Sequence, residues 1–135
     1  MLMDMALADI VGVTDENPRT IEKAWGYEHI LPCEGHTVKV MEVKPGFQCS
    51  LHFHRVKHEA FVLVQGSLYV EFYEADGTKT AHLLTKPLST LILPACTPHT
   101  FYVPKEQQHT SIFIESSTTD DPNDNYRLTK SGMHV

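Results

Sequence analysis

Nine histidines among 135 residues give this chain an unusual density of imidazole, and two of them stand in the pattern His52-Phe53-His54. On an extended strand, side chains two positions apart project from the same face. His52 and His54 therefore point one way and Phe53 the other. Side-by-side imidazoles suit a divalent transition metal, and a carboxylate on the next strand can complete a third corner. Glu59 follows His54 by five residues, which leaves room for a bend and a return. Far along the chain, the segment 94–99 (PACTPH) sets His99 at the head of a run, 100–103, that can lie beside the first. Three imidazoles and one carboxylate form a site for Zn, Mn, Fe, Ni or Co, with coordination positions left open for substrate or water. His29, His36, His82, His109 and His134 have no ligand spacing.

The elements that must position these residues read as short strands. Runs rich in β-branched and aromatic residues cover 37–43, 61–64, 67–73, 91–93 and 110–115. Gln65-Gly66 reads as a tight hairpin, and Ala75-Asp76-Gly77 as the next turn. Pro87, Pro94, Pro98 and Pro104 exclude a long helix in this half. The one helical candidate is 20–25, short and weak. Many short strands with regular turns indicate an all-β sandwich or barrel. The polar run 116–125 reads as a surface tail or loop. One domain over 1–135 is expected, with a barrel core at about 36–115 and a tail at 116–135.

Composition narrows the function. Eleven Lys and Arg against seventeen Asp and Glu give a net charge of −6, which disfavours a nucleic-acid binder. Three cysteines without CxxC spacing exclude a fully paired disulfide framework and a thiolate zinc ribbon. Residues 1–10 carry Asp4 and Asp9 and no basic head, so no secretory signal is read there. No apolar stretch approaches the ~20 residues of a membrane span. A soluble, cytoplasmic protein with a small-molecule substrate is expected.

The spacing Gly46, five residues, His52-x-His54, four residues, Glu59, six residues, Gly66 resembles the first motif of the cupin superfamily without a gap. In the second motif Pro94 and His99 match, while Leu88, Cys96 and Val103 stand where Gly, Gly and Asn are usual. The resemblance implies an antiparallel jelly-roll (double-stranded β-helix) barrel of about six to eight strands, with short irregular N- and C-terminal segments. It also implies one divalent metal ion inside, held by His52, His54, Glu59 and His99. The stretch 22–31 (EKAWGYEHIL), followed by 38–46 and by Ser89-Thr90, is similar to small cupins related to type II mannose-6-phosphate isomerase, with Ala24 in place of a proline. That likeness implies a carbohydrate substrate, and short cupins commonly pair as homodimers.

The expected activity is a metal-dependent aldose–ketose isomerase of a sugar or sugar phosphate. The metal would act as a Lewis acid while a proton moves between adjacent carbons. Glu59, His58, Lys57 and Glu71 are the candidate bases. A solvated-charge reading is favoured for Lys57 and Arg55, and a barrel-mouth position for His58. Only three arginines occur (Arg19, Arg55, Arg127), which favours a neutral over a phosphorylated sugar. The competing readings are a cupin dioxygenase using the same ligands and a non-catalytic small-metabolite-binding cupin. No DNA-binding domain is read in the chain, which weighs against a regulator.

Overall fold

The computed structural model describes residues 12–134. The stretch 1–10, read above for a signal, lies outside them. In chain order the strands are β1 (Arg19–Lys23), β2 (Gly26–Ile30), β3 (Thr37–Val43), β4 (Phe47–Gln48), β5 (His52–Phe53), β6 (Glu59–Gln65) and β7 (Leu68–Tyr73). They continue as β8 (Lys79–Leu84), β9 (Thr90–Leu93), β10 (His99–Tyr102), β11 (Ser111–Ser117), β12 (Tyr126–Arg127) and β13 (Gly132–Met133). One antiparallel sheet runs β1-β2-β3-β11-β6-β9. The other runs β12-β5-β10-β4-β13, with β7 on the far side of β10 and β8 beyond it. The expected all-β jelly roll is what forms.

Three local expectations are corrected. Residues 20–25 are not helical: β1 pairs with β2 around a turn at Ala24-Trp25, with Lys23 opposite Gly26. Six residues cannot offset the cost of helix nucleation, whereas Thr20 and Ile21 suit a strand that a sheet edge can capture. Only glycine fits at position 26, because a Cβ there would collide with the Glu42 carbonyl. Gln65-Gly66 does not close a hairpin. Strand β6 pairs with β11 and β9, while β7 pairs with β10 and β8, so Gly66 (φ +78°) is the corner where the chain changes sheets. The 116–125 run is no mere surface tail. β11 extends to Ser117, Asp124 is buried, and β12 adds to the edge of β5.

Alternation along the first sheet divides the interior into an apolar half and an ionic half. Met41, Phe113 and Leu63 stand in one cross-strand row, and Lys39, Glu115 and Phe61 in the next. All six are buried. Phe61, Phe101 and Phe113 pack against one another with ring centroids 4.8–6.1 Å apart, mostly edge to face. This aromatic cluster is a rigid floor, and each such ring contributes about 3–5 kcal/mol against truncation to alanine. Above it, where Lys39 and Glu115 turn inward, apolar packing gives way to a cavity.

Candidate metal centre

His52 and His99 face each other across the β5–β10 pairing, so one register decision in the second sheet brings together residues 47 positions apart. His54, just past β5, completes the group. The ring centroids of His52 lie 4.5 Å from His99 and 5.0 Å from His54. One nitrogen from each of the three imidazoles falls within 4.8 Å of the others.

Each ring is oriented by a backbone carbonyl. Nδ1–H donates to Ser50 O in His52 (2.8 Å), to Asp124 O in His54 (2.6 Å) and to Thr97 O in His99 (2.8 Å). A carbonyl only accepts, so every Nδ1 carries the proton and every Nε2 is turned toward the common centre. Such partners to the remote nitrogen are what hold a metal-binding imidazole in its tautomer.

Glu59 stands at the start of β6 with Oε1 2.9 Å from His54 Nε2 and 3.6 Å from His99 Nε2. Its other oxygen and His99 Nε2 are both buried with no hydrogen-bond partner. Buried polar atoms without partners are costly and uncommon. Here the unpartnered His99 Nε2 belongs to a group of three imidazoles whose nitrogens lie within 4.8 Å of one another. A divalent cation among them would satisfy it, with Glu59 beside the group. The residues present therefore fit a metal.

The electrostatics agree with the donor set. Burial pulls His52 down to about 3. Burial likewise lowers His99. Both imidazoles are held neutral, the form that binds metal. Burial opposes ionisation of Glu59, yet the His54 hydrogen bond and the Lys57 ammonium outweigh it and bring it down to about 2. His54 is raised for the reciprocal reason: burial would lower it, but Glu59 and the Asp124 carbonyl prevail.

Behind Glu59 lies an ionic cluster that sequence reading missed. Lys57 Nζ is 3.2 Å from Glu115 Oε2 and 3.1 Å from Asp120 Oδ1. Lys39 Nζ is 2.9 Å from Glu28 Oε1 and 3.0 Å from Asp120 Oδ2. Lys57 is thus not a solvated charge but a buried one. Against the lowering effect of burial, Glu115, Glu59 and Asp120 raise it, so it stays an ammonium. Burial first, and then the charge of Glu59, push Glu115 up to about 7, so of these two acids Glu115 is the one that keeps a proton. Asp124 was missed as well. Its carboxylate accepts the backbone N–H of Arg55 (2.7 Å), Val56 (3.1 Å) and Lys57 (3.0 Å), pinning the loop between β5 and β6.

The other sequence candidates fall elsewhere. His58 is exposed. Glu71 shares the outer face of its sheet with Thr100, its cross-strand partner, and lies 3.6 Å from Lys79. Cys49 is buried, and burial pushes its thiol up to about 12, so it is no nucleophile. Two of the three departures from the second motif prove conformationally faithful. Leu88 (φ 72°) and Cys96 (φ 67°) are the two non-glycine residues at positive φ among the described residues, and both occupy the motif's glycine positions. Backbone bonds hold them there: Leu88 N–H to Leu63 O at 2.7 Å and Cys96 N–H to His54 O at 2.6 Å. The altered turn therefore still delivers His99.

A cavity of about 340 Å³ opens from His52 and His54 between the two sheets. Trp25, Phe61 and Phe101 form its apolar wall, and Lys39, Lys57 and Glu115 its polar one. That volume suits a small metabolite.

Comparison with known proteins bears on the fold. A sequence profile of the family described as Cupin matches residues 23–134. The capsular polysaccharide assembling protein CapF of Staphylococcus aureus is similar, with a TM-score of 0.73, 21% identity and coverage of 85% of this chain and 32% of that one. Oxalate decarboxylase from Bacillus subtilis is similar with a TM-score of 0.70, 18% identity and coverage of 87% and 33%. This chain thus spans about a third of the length of those structures. No curated protein sequence matches it.

Proposed function

Because the chain belongs to the cupin family, we propose that it is a metal-dependent aldose–ketose isomerase acting on a small carbohydrate. The observation that carries this reading is the convergence of three carbonyl-oriented imidazoles, with the buried Glu59 carboxylate beside them, where a cavity opens at His52 and His54. His52, His54 and His99, with Glu59 as fourth ligand, would hold one ion of Zn, Mn, Fe, Ni or Co. The bound ion would supply Lewis acidity toward adjacent carbonyl and hydroxyl oxygens of a sugar.

The chain's own groups divide the remaining work by position. Glu115, in the cavity wall beside Glu59, is placed to take and return a proton. Lys57, held as an ammonium, anchors the Glu115 carboxyl group rather than acting as a base. Trp25 and the phenylalanine floor exclude water from one side of the cavity. His58, exposed, and Glu71, on the outer face of its sheet, drop out as bases in this scheme.

Two copies are proposed to pair, because β1, β8 and β9 end their sheets with unpaired backbone groups that need cover. Light scattering should give twice the 15.3 kDa chain mass, and a monomer mass would reject pairing. The activity is tested by incubating metal-loaded protein with a panel of aldoses under air and under nitrogen. Ketose formation independent of oxygen supports the isomerase. Oxygen uptake coupled to turnover would replace it with a dioxygenase, and saturable binding without turnover would replace it with a sensor.

A further inference from the structure

We infer that the cavity takes an anionic substrate, whose phosphate or carboxylate is held at the rim by Arg127 and Arg19 while its oxygenated end faces the imidazoles. This deepens the isomerase reading and rests on it only for the chemistry at the inner end.

Two of the three arginines in a chain of net charge −6 line this one cavity. They reach it from opposite sheets. Arg127 pairs with His52 across β12 and β5, and His52 pairs with His99, so one cross-strand row runs from the metal centre to a guanidinium at the sheet edge. Cross-strand partners point to the same face. In the facing sheet, Arg19 ends the row Arg19, Ile30, Lys39, Glu115. The row through the imidazoles and the row through Lys39 and Glu115 thus both terminate in an arginine.

The charges differ with depth. Inside, Lys39 and Lys57 are matched by Glu28, Glu115 and Asp120, leaving no free cation for a ligand. At the rim, neither Arg19 nor Arg127 has a carboxylate within 4.0 Å among the described residues. Lys23 lies beside them with a long 3.8 Å contact to Glu28, and Asp121 is the rim's own acid. The unmatched positive charge sits at the mouth, on side chains whose planar fork suits phosphate or carboxylate. The scarcity of arginine in the sequence argued for a neutral sugar, but their placement argues against one. Neighbouring strands lie about 4.8 Å apart, so a molecule the length of one sugar reaches from Arg127 to the imidazoles.

Trp25, the single tryptophan, lines the cavity and reports on its occupancy. The test is fluorescence titration of the full-length protein at low salt with glucose, glucose 6-phosphate and gluconate. One or both anions should bind at least roughly tenfold more tightly than glucose, and added salt should erode the difference. Arg127→Gln and Arg19→Gln should each remove much of that preference. Both side chains are exposed, so metal content and thermal midpoint should hold. The stronger anion identifies the group recognised. Equal binding of all three ligands, no anion binding, or a preference untouched in both variants would overturn the inference. An intact anion preference without ketose formation would overturn the isomerase instead.

Discussion

At the residue scale, the arrangement rests on protonation states enforced by burial. His52 is held neutral, down to about 3, while in the unfolded chain it titrates near its ordinary 6.5. A depressed histidine binds fewer protons folded than unfolded, so its stabilising contribution is present above 6.5 and is lost as pH falls toward 3. His99 acts in the same sense. His54, raised, acts oppositely and contributes below its ordinary value. Glu115, raised to about 7, opposes the two depressed imidazoles as well. The balance turns only once His52 and His99 protonate in the unfolded chain, so the metal-free protein should lose urea resistance between about pH 6 and about pH 5. A midpoint that stays flat or rises over that range would contradict the account. Lys57 offers a second check. It is only 4% exposed, and replacing it with methionine leaves Glu115 and Asp120 without a shared cation. Urea unfolding of Lys57→Met should show a loss of about 3–5 kcal/mol, and a neutral result would mean that the cluster is not electrostatically coupled.

At the element scale, the turns before and after β9 explain how a degenerate motif still works. Left-handed backbone disfavours any residue with a Cβ by about 1–2 kcal/mol, partly offset because glycine orders at greater entropic cost. Leu88 and Cys96 are both exposed, so their side chains contribute little packing. Leu88→Gly and Cys96→Gly should each stabilise the protein by about 0.5–1 kcal/mol in thermal or urea unfolding; destabilisation would show that these turns are held by their side chains. The same scale shows what could be read from sequence. The His52-x-His54 and Glu59 spacing carried the site because strand periodicity and one short loop are local. The inward face of β11 was illegible, since Ile112 and Ile114 alternate as plausibly as Phe113 and Glu115. Pairing with β3 and β6 turns Glu115 inward, and only a tertiary register decides that. Asp124 escaped notice because its bonds reach back 67–69 positions to a loop. Gly66 misled because a glycine that serves a hairpin also serves a corner between sheets.

At the scale of the whole molecule, the two sheets enclose an interior that is packed and apolar at one end and polar at the other. The aromatic floor of Phe61, Phe101 and Phe113 fixes the separation of the sheets, and the ionic cluster with the imidazoles occupies the space above it. The returning segment 118–127 ties these ends together, with Asp120 on the lysines, Asp124 on the loop, and β12 beside His52. Every part of that architecture converges on three Nε2 atoms, so the central claim is that they hold a metal ion. It is tested most directly by elemental analysis of protein purified without a histidine tag and equilibrated with excess divalent metal, then desalted, beside His52→Ala and His54→Ala. The account predicts one tightly held transition-metal ion per chain, lost in both variants while their circular dichroism stays that of a folded β protein. A wild-type chain that retains no metal, or variants that retain as much as wild type, would contradict it.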